Sequence, residues 1–123
     1  MVELDSGDLK KAQQRAEEAL QIAQKNHQHG EGFVWIVLGR ILGKTESPQN
    51  DRAEESFLRG IKILEELKLK IYYAPGYYYL GELYANTGQK EKAVETLKKA
   101  EKLFKQMRMD YWLSKTHNIL EAI

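Results

Sequence analysis

Residues 39 to 45 read Gly-Arg-Ile-Leu-Gly-Lys-Thr, behind an apolar run from Phe33 to Leu38. A glycine followed closely by Gly-Lys-Thr could cradle a phosphate, since glycines let backbone N–H groups approach an anion and the lysine adds charge. Such a loop needs four residues between its first glycine and the Gly-Lys pair, and this chain has three. Glu46, Ser47 and Pro48 then interrupt the helix that should follow, and no second strand offers an aspartate for magnesium. The stretch reads as a helix end with an exposed Lys44, and no cofactor is expected.

Two histidines, His27 and His29, flank Gln28 with Glu31 close behind. Histidine nitrogen and carboxylate oxygen are zinc ligands, but i, i+2 spacing in a polar, glycine-containing loop fixes no geometry, so they read as solvated loop residues. His117, beside Asn118 in the last helical stretch, reads as a partly buried spacer. No serine or threonine has a His-Asp pair around it, and no two carboxylates are spaced for acid-base work. The expectation is therefore no catalytic residue, no metal and no enzyme.

The whole-chain arithmetic narrows the classes further. Lysine and arginine number 19 against 18 acids, a net charge of +1, without the cationic excess that drives counterion release from nucleic acids. There is no cysteine among the 123 residues, which removes disulfides, thiol nucleophiles and Cys-ligated metals together. The longest apolar run is six residues, Phe33 to Leu38, far short of the roughly 20 needed to cross a bilayer. With Glu3 and Asp5 just behind Met1 there is no basic leader, and the chain reads as cytoplasmic, with no nucleic-acid and no membrane partner.

Six of the seven tyrosines fall between positions 72 and 84. Tyr73, Tyr77, Leu80 and Tyr84 share one stripe at helical spacing, which implies packing, whereas Tyr78 stands off that stripe. Positioning them requires a helix, and the rest of the chain shows that it is a repeated one. Between residues 76–88 and residues 32–43, an offset of 42 pairs Trp35 with Tyr77, Leu38 with Leu80, Gly39 with Gly81 and Leu42 with Tyr84. At an offset of 40, Ala53 pairs with Ala93, Phe57 with Leu97, Gly60 with Ala100 and Leu64 with Phe104. A third copy begins at Ala12, Ala16, Ala19 and Ala23, and the difference in offset sits in the loop from Lys44 to Asp51. This register also decides the reading of Phe33 to Leu38, strand-like by propensity but aligned with a segment containing Glu82 and Ala85. Helices are predicted at about 8–27, 32–43, 51–68, 73–86, 90–107 and 111–122. On the fifth, Glu95 and Lys99, and Glu101 and Lys105, stand four apart with the acid first, the favourable order for surface ion pairs.

The series Tyr77, Leu80, Gly81, Tyr84, Gly88, Ala93, Leu97 and Ala100 resembles the tetratricopeptide repeat, and Trp35, Leu38, Gly39, Leu42, Ala53, Phe57 and Gly60 repeat it less completely. The resemblance implies an all-α fold of antiparallel helix pairs stacked into a right-handed α-solenoid: a half unit at about 1–31, units at about 32–70 and 71–109, and a C-terminal helix at about 110–123. The long period is similar to repeat arrays in large bacterial regulators, including ATP-dependent transcription activators and multidomain nucleotide cyclases. It implies a non-catalytic protein–protein interaction or scaffold module for signal transduction; a small-molecule or peptide sensor controlling an attached effector domain is the alternative. In this family the first helix of each pair lines a concave groove, here Phe33, Ile36, Arg40 and Lys44, then Tyr78, Glu82 and Asn86, with a protein or peptide as the expected ligand. The carboxylate clamp of chaperone-binding relatives is absent, since Ile36, Arg40, Tyr78 and Glu82 occupy its positions.

The opening residues Val2 and Leu4 read as the last turn of a helix whose body is missing, and Trp112, Leu113, Leu120 and Ile123 form an apolar face with no following helix. Such a chain is expected to be a piece of a larger protein, contacting the rest of its parent chain, or to pair with itself as a homo-oligomer through incomplete terminal repeats. Self-association that grows with concentration in sedimentation velocity is the expected outcome; a monomer at every concentration would contradict it.

Overall fold

In the computed structural model, residues 6–25, 30–45 and 49–123 are described. They form six helices: α1 (Ser6–Lys25), α2 (Glu31–Leu42), α3 (Asn50–Glu66), α4 (Lys70–Asn86), α5 (Lys90–Met107) and α6 (Asp110–Ala122). The protein is all-α with a helical-repeat architecture, and the predicted boundaries hold to within a few residues. The largest displacement is at α4, which starts at Lys70 rather than 73. Proline favours a helix's first turn because it lacks an N–H, yet Pro75 lies in the second turn of α4. The N–H groups of Tyr72 and Tyr73 both reach back to the Leu69 carbonyl, at 2.9 and 3.1 Å, so the helix has begun before the proline arrives.

The chain divides into two compact units, Met1–Ile63 and Leu64–Ile123. In the first, α2 packs against α1, and Ala16, Leu20, Ala23, Ile36, Leu38, Leu42, Ala53, Phe57 and Ile61 are buried. A Cβ added at Gly39 would stand 2.8 Å from Cδ1 of Phe57, and one added at Gly60 would stand 2.7 Å from the Gly32 carbonyl oxygen. Helices α2 and α3 thus approach closely at two places, each time with a glycine on one helix facing bulk on the other.

The second unit repeats the device. A Cβ at Gly81 would lie 2.5 Å from Cγ of Leu97, with Ala74, Ala93, Leu97, Ala100 and Phe104 fully buried around the α4–α5 contact. Helix α6 packs on both α5 and α4. Trp112 stacks on Phe104, ring centroids 5.7 Å apart, and the fully buried Thr116 sends its hydroxyl to the Trp112 carbonyl at 2.8 Å, which satisfies a polar group that would otherwise be costly to bury.

Three helices end in one way. Leu69, Gln89 and Met109 each donate a backbone N–H to the carbonyl five residues earlier, Leu64, Tyr84 and Phe104, all at 2.9 Å. Closure of that kind needs a left-handed residue just before the donor, supplied by Lys68 (φ 59°), Gly88 (φ 77°) and Arg108 (φ 55°). Only one of the three is the glycine that adopts this conformation without strain. Lys68→Gly and Arg108→Gly should each add about 0.5–1 kcal/mol to stability, whereas Gly81→Ala should remove about 1–3 kcal/mol by overpacking against Leu97; urea denaturation of the three variants measures both.

Candidate functional site

The phosphate-loop look-alike is occupied by its own helix. The N–H of Gly43 donates to the Gly39 carbonyl at 3.2 Å and that of Lys44 to Ile41 at 3.0 Å, so the amides that would wrap a phosphate close α2 instead, and Lys44 is exposed. His27 and His29 lie outside the described residues. Among those described, no group of three acids or histidines is placed to hold a metal ion, and no helix is long and apolar enough to cross a membrane.

The residues expected to line a groove separate into two kinds. On α2, Phe33 is 53% exposed and Arg40 is half-buried, a spacing of seven placing both on one face; Lys44, just past the helix end, is exposed. Ile36 does not join them. It is buried, and its side chain lies where a Cβ on Gly60 would be, so it fills the α2–α3 contact. On α4, Glu82 is half-buried and Asn86 exposed, but Tyr78 is only 4% exposed. The sequence places Tyr78 on an open face; the structure places α6 against it, with the Trp112 ring edge-on at 5.5 Å and the Lys115 ammonium 5.3 Å from the Tyr78 ring centroid. Tyr78 is therefore a packing residue for the next helix.

Of the fourteen residues expected to pack in the repeat, twelve are buried and two are half-buried. Leu38, Gly39, Leu42, Ala53, Phe57, Gly60, Leu80, Gly81, Tyr84, Ala93, Leu97 and Ala100 are buried. Trp35 and Tyr77 are half-buried and each is covered by a cation: Arg59 stands 5.2 Å from the Trp35 ring centroid and Lys99 stands 5.6 Å from that of Tyr77. Cations placed over aromatic faces are attracted by the ring quadrupole. The repeat offsets carry Trp35 onto Tyr77 and Arg59 onto Lys99, so the register holds this pairing although no single unit reveals it.

The ion pairs expected along α5 are replaced by contacts to other helices. Lys99 turns to Tyr77, and Glu101 faces His117 on α6, carboxylate oxygen to imidazole Nε2 at 2.8 Å. His117 thus does more than fill space. No periodicity within one helix signals such a pairing.

Lys99 also borders a cleft of about 350 Å³ lined by Glu65, Lys70, Tyr73, Tyr77, Lys99, Lys102, Leu103 and Gln106. Tyr73 and Tyr77 meet edge to face with centroids 6.3 Å apart, and the Tyr77 hydroxyl donates to the Glu65 carboxylate at 3.0 Å. Each of the other described helices carries an acid in its first turn, but α4 has none and begins with Lys70 instead. The cleft's lysines come from two helices, which is why the sequence read one helix at a time left it unseen.

Comparison with known proteins bears on the same segment. The family model described as tetratricopeptide repeat matches residues 74–106, most of α4 and α5. Neither curated proteins nor solved structures give a match.

The hydroxyl of Tyr77 is pushed up from 10.0 to about 12, first by burial and then by its hydrogen bond to the Glu65 carboxylate. Below about pH 10 both folded and unfolded chains keep this proton; between 10 and about 12 the unfolded chain loses it and the native state retains it. Stability falls with rising pH wherever the native state binds more protons. The stability gap between the wild type and Tyr77→Phe should therefore be flat up to about pH 10 and shrink as pH rises toward 12; parallel curves in urea titrations at successive pH values would contradict this.

Proposed function

We propose that this protein, whose residues 74–106 match the tetratricopeptide repeat, is a non-catalytic interaction module that holds a protein or peptide partner and serves as a scaffold in a larger signalling or transcription regulator. Repeats of this family are typically interaction modules, and the site's chemistry agrees with that. Tyr77 on Glu65 and His117 on Glu101 engage a hydroxyl, two carboxylates and an imidazole in contacts between helices.

The observation that carries the reading is Phe33. A phenylalanine 53% exposed on α2, on one face with Arg40 and with Lys44 following the helix end, combines an apolar anchor with orienting cations, the make-up of an interface hot spot. Burying the rest of that ring would contribute about 1–2 kcal/mol to a complex, and a guanidinium two turns along the same face fixes the orientation of a carboxylate or carbonyl. Glu82 and Asn86 on α4 are the matching candidates in the second unit. The two buried members, Ile36 and Tyr78, hold the helices that present these faces.

The substitution Phe33→Ala with Arg40→Glu tests the reading without touching a buried apolar residue. Partners captured by the immobilised wild-type protein should be retained about 30-fold less by the variant, the loss of about 2 kcal/mol expected at a hot spot. Equal retention by two proteins of equal helicity would remove the α2 face from the proposal.

A further inference from the structure

The cleft between α4 and α5 is a second surface, independent of the α2 face. Lys70 reaches it from the start of α4, and Lys99 and Lys102 reach it from one side of α5. Tyr73, Tyr77 and Leu103 give it aromatic and aliphatic walls. Among the described residues, no carboxylate is within ion-pair distance of any of these three lysines. The acid lining the cleft, Glu65, accepts the Tyr77 hydroxyl. Three lysines from two helices thus line a cleft with aromatic and aliphatic walls, while the local carboxylate accepts a hydrogen bond from a phenol.

We propose that this cleft binds an acidic peptide segment, with carboxylates meeting Lys70 at one end and the Lys99–Lys102 pair at the other, and an apolar side chain resting on Tyr73 and Leu103. A volume of about 350 Å³ suits one or two side chains of an extended chain, near the lower limit of ligand sites in general, and is too small for a folded partner to enter. The apolar floor distinguishes a peptide from a bare polyanion, which would use the lysines and leave the rings unburied. Three cations in a protein of net charge +1 are also few for a nucleic acid, whose affinity scales with the number of phosphates neutralised. Tyr77 has a positioning role: its hydroxyl holds the Glu65 carboxylate, which lines the same cleft, in a hydrogen bond rather than an ion pair with the lysines.

The test uses the full chain and a fluorescein-labelled Glu-Leu-Glu-Glu-Leu-Glu peptide, followed by polarisation at low and at physiological salt. Saturable binding is expected, stronger at low salt, and weakened about tenfold or more by the double substitution Lys99→Glu with Lys102→Glu. Lys70→Glu with Lys102→Glu should act alike, which guards against a local effect on the Lys99–Tyr77 contact. Tyr77→Phe, which keeps the ring but releases Glu65, should weaken binding about threefold. Lys90→Glu with Lys105→Glu, the same charge change on α5 outside the cleft, should leave the affinity unchanged. The proposal is overturned if no saturable binding occurs, if both cleft variants bind like the wild type, or if the Lys90–Lys105 variant loses as much. Tripolyphosphate or single-stranded RNA competing as well as the unlabelled peptide would overturn it too, since the cleft would then be reading charge alone.

Discussion

Two helices lie closer together than their side chains would ordinarily allow, because one of them has no side chain at the crossing. Gly81 leaves the room that Leu97 occupies, and Gly39 leaves the room that Phe57 occupies. Everything nearby follows from that separation. The neighbouring positions on the second helix must be small, and Ala53, Gly60, Ala93 and Ala100 are. Apolar residues just before each glycine and about a turn after it, Leu38 and Leu42, then Leu80 and Tyr84, reach the core and are buried. Trp35 and Tyr77, four residues before each glycine, are carried to the rim, where a ring too large to enter completely is covered by an arginine or a lysine.

That arrangement is largely legible in the sequence, for a physical reason. A repeat must solve one packing problem twice, so Gly39 and Gly81 recur at a fixed offset even where Phe57 has become Leu97. The period also corrects a local bias, since Phe33 to Leu38 resembles a strand until it is laid beside residues that do not, and it is helical. What is not legible lies between helices. The burial of Tyr78 depends on where α6 lands, and α6 is joined to α5 through a left-handed turn at Arg108, which no pattern of apolar residues encodes. The same is true of Glu101, which has a lysine four residues ahead and a histidine on the next helix, and faces the histidine. Side-chain partners chosen across helices escape any reading made along one.

The surfaces divide by the same logic. Residues on the shared contact are fixed by geometry and have little freedom to recognise anything else. The exposed aromatic Phe33 and the lysines Lys70 and Lys102 lie outside it, and there the repeat is less strict. At the offset of 42, Phe33 is matched by Pro75 and Lys70 by Gln28, whereas at the offset of 40 Lys102 is matched by Lys62, so the scaffold recurs while its decoration recurs only in part.

The left-handed helix ends have a consequence for how the chain acquires its structure. Helices α4, α5 and α6 are joined by connections of two or three residues, and each of the three packs on the other two. Contacts so near in sequence require little loop closure before they are rewarded. Folding of the second unit can thus spread outward from a single helical hairpin, the one that the backbone turn at Gly88 closes between the two helices whose glycine crossing is tightest.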